Sequence, residues 1–350
     1  MGEQVRRLLL TTIPGLERLV LAELTRLMPK LRLVRVSKGR VLVEVDGVEH
    51  AIREILAKSR LVEHLILVLW EGEVESLTDL RREISESVGS LKQYIGYGMS
   101  FAVKAERIGR SPVKSLELAS IVGGAVESMS AARKVRVSLD NPDITLYACI
   151  DGARYLLGVL ITAFRPLHER GYRAYVHPSM LNPVIANAMI DLAGNPTSVI
   201  DPFCGSGTII IERWLRGGTT LLLGMDVKYR HVRGALANAR QAGAVVDLIV
   251  GDVRLPPLRR ISIDAVITNP PFGLRERPIG GLRPVYAALR RLARQVSADV
   301  LVVITPRRRL LQSIFRGFTK EREITVEHGG MRSSIFVLRG GRSEPCRKST

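Results

Sequence analysis

The sequence predicts an α/β protein in which a doubly wound parallel sheet follows two smaller α+β units. Two observations indicate the parallel sheet: apolar runs alternate with amphipathic stretches over 177–338, and a glycine-rich turn follows the first of these runs. A different order of strands and helices before residue 163 separates the smaller units from it. At 350 residues, 46% of them hydrophobic, the chain can form two or three cored domains of roughly 100–200 residues each.

Residues 1–70 are predicted to form a small N-terminal domain in which strands and helices alternate. The apolar periodicity predicts, in order, a strand over 8–12, a helix over 15–28, a hairpin with strands over 31–36 and 40–45, a helix over 48–57 and a strand over 62–69. In this order the unit resembles a ferredoxin-like module.

Residues 71–163 are predicted to form the second unit. It contains a strand over 100–104, a basic turn over 105–110, a helix from Ser115 and strands over 135–138, 144–150 and 154–160. Residues 164–176 are rich in Arg, His and Gly and are predicted to be a linker, and 177–340 form the doubly wound, Rossmann-like domain. Residues 341–350 form a basic tail.

The charge of the chain is strongly positive. The 52 Lys and Arg residues outnumber the 34 Asp and Glu residues, and the net charge is +18 at pH 7. This charge predicts binding to a polyanion, because each neutralised phosphate releases condensed counterions. A basic surface of the kind found in thermophilic proteins is the alternative interpretation.

Other features of the composition predict a cytoplasmic protein without a membrane span or a metal site. No apolar run approaches the ~20 residues of a membrane-spanning helix. The apolar stretch over 8–15 is short and lacks a small-residue cleavage site, so we expect no signal peptide. The three cysteines, Cys149, Cys204 and Cys346, are widely separated and give neither a disulfide framework nor a metal-ligand spacing.

A glycine-rich turn over 201–208, Asp-Pro-Phe-Cys-Gly-Ser-Gly-Thr, follows the first apolar run of the C-terminal domain. Such a turn lets backbone N–H groups approach a ligand, and the next helix N-terminus adds positive potential. Asp226 and Asp252 end the next two predicted strands, where a carboxylate can accept from ribose hydroxyls or from an adenine amine. Together these acids indicate a nucleoside cofactor site, whereas a lone Gly-x-Gly also occurs in ordinary tight turns.

The sequence Asn269-Pro270-Pro271-Phe272 follows a later apolar run and is the most specific signal in the chain. An exocyclic amine on a base is a poor nucleophile because its lone pair is delocalised into the ring. The Asn269 side-chain carbonyl and the Pro270 backbone carbonyl can each accept one amine hydrogen, which aims the nitrogen lone pair at an electrophile. Phe272 offers a flat surface on which such a base can stack. The alternative interpretation is a strand stop followed by a core Phe.

Over 177–338 these motifs resemble class I S-adenosylmethionine-dependent methyltransferases. The resemblance implies that 201–208 wraps the methionine part, that Asp226 holds the ribose and Asp252 the adenine, and that the segment from His177 closes over the cofactor. Alternatively, His177 is a helix-entry residue with no ligand contact. The cofactor residues implied are His177, Met180, Asp201, Phe203, Gly205, Ser206, Gly207, Thr208, Asp226, Val227, Asp252, Val253 and Asn269.

Cys204 invites a second interpretation, as a nucleophile. Methylation at pyrimidine C5 needs a cysteine in the turn where Asn269 lies, so we interpret Cys204 as a small packing residue. The Asn-Pro-Pro-Phe turn itself serves enzymes that act on adenine N6, guanine N2, cytosine N4 and glutamine amides. The acceptor is therefore a planar amine or amide, and the turn leaves the base open.

The N-terminal half narrows the substrate. The stretches 101–110, Ser115-x-Glu117 and 121–124 resemble the THUMP RNA-binding domain, and 167–178 resembles the THUMP-linked guanine-N2 methyltransferases. Across nearly the whole chain the sequence is similar to the archaeal tRNA enzymes of the acceptor-stem, nucleotide-six type. A sister group acting on nucleotide ten carries Asp at the position of Asn269.

The THUMP resemblance implies that this domain captures the tRNA 3′ end while the acceptor stem reaches the active site. Candidate phosphate contacts are Lys104, Arg107, Arg110 and Lys114, and candidate guides for the acceptor stem are Arg170, Arg173, Arg275 and Arg277. For each of them a solvated basic face is the alternative.

Together with these resemblances, the sequence predicts a monomeric or weakly associating tRNA methyltransferase that forms N2-methylguanosine, with Asn269, Pro270 and Phe272 as catalytic residues. The resemblance implies that the modified nucleotide is number 6. Guanine-N2 methylation of ribosomal RNA and adenine-N6 methylation of DNA are the enzymatic alternatives. An RNA-binding protein with an inactive methyltransferase fold is the non-enzymatic one.

Overall fold

The computed structural model describes residues 6–111, 113–176, 180–273, 278 and 280–340. Contacts divide the chain into two compact units. The N-terminal unit comprises the residues up to Thr12 and Val20–Leu167, and the C-terminal unit comprises Ile13–Leu19 and the residues from His168 onwards. No helix in these described ranges is long and apolar enough to cross a membrane. His177, Arg275, Arg277 and the predicted tail lie outside the described residues.

The N-terminal unit is built on one mixed sheet. Its elements are β1 (Arg6–Thr11), α1 (Glu17–Leu27), β2 (Arg32–Ser37), β3 (Arg40–Val45), α2 (Val48–Lys58), β4 (His64–Glu73), α3 (Leu77–Ser87), β5 (Ser100–Ile108), α4 (Ser115–Ser130), β6 (Arg136–Val137), β7 (Ile144–Asp151) and β8 (Arg154–Leu160). Short 3-10 helices cover Val88–Gln93 and Ala131–Arg133. The strand order is β2-β3-β1-β4-β8-β7-β5-β6.

The first four strands confirm the ferredoxin-like module. They run β2-β3-β1-β4, all antiparallel, with α1 and α2 as the two connections. The apolar stripe of α1 is buried, since Val20 and Leu24 are each 0% exposed.

The second half of this sheet belongs to the predicted THUMP unit. β8 pairs antiparallel with β4 along 66–73, so the strands of the two predicted domains form one continuous sheet, and β4 runs past residue 70. β5 pairs parallel with β7 through the helix α4, and Phe101, Val122 and Leu146 pack in its core. β5 extends to Ile108, so the prediction of a basic turn over 105–110 is wrong for its first four residues, which pair with β7.

The C-terminal unit contains a seven-stranded sheet with helices between its strands. Its elements are α5 (Pro183–Leu192), β9 (Ser198–Asp201), α6 (Thr208–Trp214), β10 (Leu221–Asp226), α7 (Tyr229–Gln241), β11 (Asp247–Val250), β12 (Ala265–Thr268), α8 (Leu282–Gln295), β13 (Val300–Thr305), α9 (Arg308–Ile314), β14 (Phe318–His328) and β15 (Met331–Gly340). The strand order is β11-β10-β9-β12-β13-β15-β14.

This sheet confirms the doubly wound prediction for its first five strands, which are parallel. The prediction that parallel alternation continues to Leu338 is wrong. β14 and β15 form an antiparallel hairpin, and β15 also runs antiparallel to β13. Gly329 and Gly330, with φ of 58° and 73°, make the turn that allows the chain to reverse without a helix. The order of the parallel strands reverses between β9 and β12, where a ligand crevice is expected at the carboxyl ends.

Candidate active site

A cavity of about 690 Å³ opens at the carboxyl ends of β9, β10 and β12. This is the topological switch point of the sheet, where open α/β folds bind ligands. Most of the residues predicted from sequence for cofactor and substrate line it: Met180, Asp201, Phe203, Gly205, Ser206, Thr208, Asp226, Val227, Asp252, Val253, Asn269, Pro270 and Phe272. The two motifs therefore face one space.

Two glycines shape the turn that enters this cavity. Gly205 and Gly207 have φ of 54° and 80°, a left-handed conformation that other residues adopt only with strain. Gly207 does not line the cavity but begins α6, and a Cβ there would lie 3.2 Å from the Cβ of Ala235. Gly207 thus allows close packing against α7, and its role as a cofactor residue stays a prediction.

The Asp226 carboxylate is held in a fixed orientation at the end of β10. Its Oδ2 accepts from the backbone N–H of Gly205 at 3.1 Å, and its Oδ1 accepts from the backbone N–H of Lys228 at 2.9 Å. The Nδ1 atom of His231, on α7, lies 3.2 Å from the same Oδ1. These contacts join the glycine turn to the start of α7. The carboxylate is therefore already oriented before a ligand binds.

Asp201 is buried between the ends of β9 and β12. Thr268 Oγ1 donates to its Oδ1 at 2.6 Å, and the backbone N–H of Phe203 donates to the same oxygen at 3.1 Å. Burial raises the pKa of Asp201 to about 7, although both hydrogen bonds oppose the shift. Because Thr268 directly precedes Asn269, this contact also joins the glycine-rich turn over 201–208 to the Asn-Pro-Pro-Phe turn.

Asp252 lines the cavity but its carboxylate is occupied by a neighbour. Arg254 Nε lies 3.0 Å from Oδ1 and 2.9 Å from Oδ2, and a terminal nitrogen lies 2.6 Å from Oδ2. These hydrogen bonds lower the pKa of Asp252. The sequence prediction missed Arg254, which also lines the cavity. The signal that could have found it is a basic residue two positions after an acid at a strand end.

The Asn269-Pro270-Pro271-Phe272 turn leaves β12 at Asn269. Pro270 is buried, and Asn269 and Phe272 are half-buried at the cavity wall. Within the described ranges the Asn269 amide makes no hydrogen bond to the protein, so its carbonyl is available to a ligand. The backbone carbonyl of Phe272 accepts from Arg307 Nε at 3.0 Å. Sequence reasoning did not anticipate Arg307.

Cys204 is 6% exposed, and burial raises the pKa of its thiol well above the usual value. A thiol in this environment is a poor nucleophile, which agrees with the interpretation of Cys204 as a packing residue. A Cβ atom added at Gly224 on β10 would lie 3.1 Å from the Cβ of Cys204, so the protein is tightly packed around this side chain.

The Arg170 side chain is engaged inside the C-terminal unit. Its Nε lies 3.0 Å from Oε1 of Glu212, and the two side chains are 11% and 0% exposed. Tyr172 donates its hydroxyl to Glu212 at 2.7 Å, and Asn187 donates its amide at 2.7 Å. Sequence reasoning missed Glu212, and this buried cluster engages the Arg170 side chain that was predicted to guide the acceptor stem. Arg173 is half-buried.

The four predicted phosphate contacts of the N-terminal unit lie on β5 and in the turn before α4. Arg107, Arg110 and Lys114 are exposed. Lys104 is partly engaged, since its Nζ lies 3.2 Å from His64 Nε2 and 4.0 Å from Glu106. Three of the four side chains are therefore open to a polyanion.

Comparison with known proteins agrees with this organisation. Residues 82–160 match the THUMP domain, and residues 170–334 match the RMKL-like methyltransferase domain. A curated tRNA (guanine(6)-N2)-methyltransferase from Archaeoglobus fulgidus is 31% identical over 370 residues, covering 95% of this chain and 92% of that protein. Another from Thermus thermophilus is 32% identical over 345 residues, covering 94% and 98%. The crystal structure of TrmN from Thermus thermophilus superposes with a TM-score of 0.80 at 31% identity, covering 96% of this chain and 99% of that one.

Fold and site together define a THUMP-linked class I methyltransferase. The chain belongs to the family that contains the tRNA (guanine(6)-N2)-methyltransferases. Its relatives are not confined to archaea, since the Thermus protein is as similar as the Archaeoglobus one.

Proposed function

We propose that this protein transfers a methyl group from S-adenosylmethionine to N2 of guanine at nucleotide six of tRNA. The observation that carries the proposal is that the Asn269-Pro270 turn and the glycine turn line one cavity. The names of the relatives from Archaeoglobus and Thermus, which match almost the whole chain, support the base, the atom and the nucleotide.

The residues of the cavity suit an adenine nucleoside with a charged amino-acid tail. The preorganised Asp226 carboxylate would accept from the ribose hydroxyls, and the backbone of the turn at Gly205 would lie against the tail. Asp252 would accept from the adenine amine once it shares or releases Arg254. When bound, this cofactor supplies an electrophilic methyl group on a sulfonium.

The chain's own contribution to the reaction is positioning and electrostatics. Asn269 Oδ1 and the Pro270 carbonyl would each accept one hydrogen of the guanine amine, so that the nitrogen lone pair is aimed along one direction. Pro270 is buried and Thr268 is anchored on Asp201, which keeps both acceptors rigid. Phe272 would stack on the extruded base.

The N-terminal unit would bind the rest of the tRNA. The exposed Arg107, Arg110 and Lys114 would contact phosphates near the 3′ end. In this proposal, 71–163 is the THUMP domain and 177–340 is the catalytic domain. Arg275 and Arg277, which lie outside the described residues, stay proposed guides for the acceptor stem, and His177 stays a proposed cofactor residue. We further propose that the protein acts as a cytoplasmic monomer.

The test is to incubate the protein and S-adenosylmethionine with unmodified tRNA transcripts, ribosomal RNA fragments and DNA, and to map products by nucleoside mass spectrometry. We expect N2-methylguanosine in transcripts with G6 and none when G6 is replaced by adenine. The same assay counts the methyl groups added. Three results would replace the proposal by the corresponding alternative. They are methylation confined to ribosomal RNA, N6-methyladenine in DNA, and cofactor binding without product.

A further inference from the structure

Arg307 connects the catalytic turn to the core of the C-terminal unit. Its Nε donates to the Phe272 carbonyl at 3.0 Å, while its backbone N–H donates to Thr305 Oγ1 at 3.0 Å. Thr305 Oγ1 in turn lies 2.8 Å from the hydroxyl of Tyr286 on α8. Thr305 and Tyr286 are each 0% exposed, so the base of Arg307 is fixed by a buried pair.

The guanidinium of Arg307 also lies on an exposed, positively charged surface. Arg308 and Arg309 follow it and are exposed. α8 and α9 contain no acidic residue. Among the described residues, Glu323 pairs with Arg308 at 3.1 Å, whereas Arg307 forms no ion pair.

The contact with Phe272 uses one of the five N–H donors of the guanidinium. The remaining donors belong to a side chain that is exposed to solvent, and a planar guanidinium presents two of them as a fork that suits phosphate oxygens. A base held against Phe272 brings the phosphates on either side of its own nucleotide close to this turn.

We propose that Arg307 is a positioning residue that binds a phosphate of the RNA strand beside the target nucleotide while its Nε holds the backbone of Phe272. Binding of the strand would thereby fix the aromatic ring against which the base stacks. This inference rests on the proposed function, since it takes RNA as the substrate and Phe272 as the stacking residue.

Two substitutions separate the two roles. Arg307→Lys keeps the charge but lacks the Nε donor and the planar fork, whereas Arg307→Gln removes the charge and keeps an amide donor. Arg309→Gln is the matched control, because it removes a neighbouring exposed charge that does not contact the catalytic turn. Unchanged cofactor affinity and melting temperature establish that each variant is folded.

The readouts are kcat and KM for tRNA, and the tRNA dissociation constant across a salt series. We expect Arg307→Gln to raise KM and Kd about tenfold and to reduce the salt slope by about one, because one phosphate contact is lost. We expect Arg307→Lys to retain the salt slope but to lower kcat about tenfold, because the turn is no longer held. Arg309→Gln should change each quantity less than about twofold.

A salt slope and Kd for Arg307→Gln equal to those of Arg309→Gln would overturn the phosphate contact. A normal kcat for Arg307→Lys would overturn the positioning role. If the wild-type protein binds tRNA but does not methylate it, the proposed function fails by itself, and the binding measurements still decide the phosphate contact.

Discussion

Asp201 holds a carboxyl group where water does not reach it, 2% exposed at the end of β9. The sequence alone predicted that this residue ends a strand beside a glycine turn. Its hydrogen bond from Thr268 was not predictable, because the two residues are 67 positions apart and meet only when β9 and β12 pair. The consequence is a group that titrates near neutral pH.

We predict that affinity for S-adenosylmethionine rises with pH through the region near 7. Burial raises the pKa of Asp201 to about 7, so in the ligand-free protein its carboxyl becomes ionised only as the pH passes that value. A cationic ligand favours the ionised form, so binding at pH 6 should be weaker than at pH 8 by up to about tenfold.

Isothermal calorimetry across this range measures the effect, and Asp201→Asn should remove it. S-adenosylhomocysteine, which lacks the sulfonium charge, should show a shallower dependence. The same pKa implies that the stability contributed by neutral Asp201 is present below about pH 4 and is lost as the pH rises through about 7. An affinity of the wild-type protein that does not change with pH would contradict this account.

Among the other residues, the sequence located Asp226 and Asn269 in the cavity because strand-end positions in a parallel sheet meet at one edge. It did not reveal what these side chains touch. Arg254 on Asp252 and Arg307 on Phe272 depend on side-chain directions that periodicity does not specify.

At the scale of elements, α6 combines two tasks. Its N-terminus follows the glycine turn, and its residue Glu212 lies fully buried in contact with Arg170, Tyr172 and Asn187. The partners come from segments 25 to 42 positions away, which is why the sequence indicated Arg170 as a guide for the acceptor stem and did not reveal its contact with Glu212. The cluster joins the chain before α5 to the helix that follows the glycine turn.

We predict that Glu212→Gln lowers the free energy of unfolding by about 3–5 kcal/mol, because it leaves the buried guanidinium of Arg170 without its counter-charge. Urea denaturation followed by fluorescence or circular dichroism measures this change. Glu321→Gln, which removes an exposed partner of Arg339 in the same unit, should cost less than about 1 kcal/mol. Equal effects of the two substitutions would show that the Glu212 cluster has no special structural role.

Most elements were predictable from apolar periodicity, including the order of the first four strands and the helices between them. The hairpin of β14 and β15 was not, because its apolar runs resemble those of parallel strands and only the Gly329-Gly330 turn distinguishes them. The sequence also did not predict that β4 continues past residue 70 and pairs with β8. The pairing of two strands that are distant in the chain leaves no local pattern in the sequence of either strand.

At the scale of the whole molecule, the chain combines a THUMP-containing unit with a catalytic unit and carries a net charge of +18. The charge predicted a polyanionic partner but not its identity, which motifs and relatives narrow to tRNA under the proposed function. Both units expose arginines that a phosphate backbone could contact, among them Arg107 and Arg307.

The central claim is that Asn269 and Pro270 hold the guanine amine in the direction of the methyl group. A single-turnover assay with Asn269→Ala, at saturating S-adenosylmethionine and saturating tRNA, tests it directly. The account predicts a rate of methyl transfer lower by at least about 10²–10³-fold, with dissociation constants for both ligands within about threefold of wild type. A variant that binds both ligands and transfers the methyl group at the wild-type rate would contradict the claim.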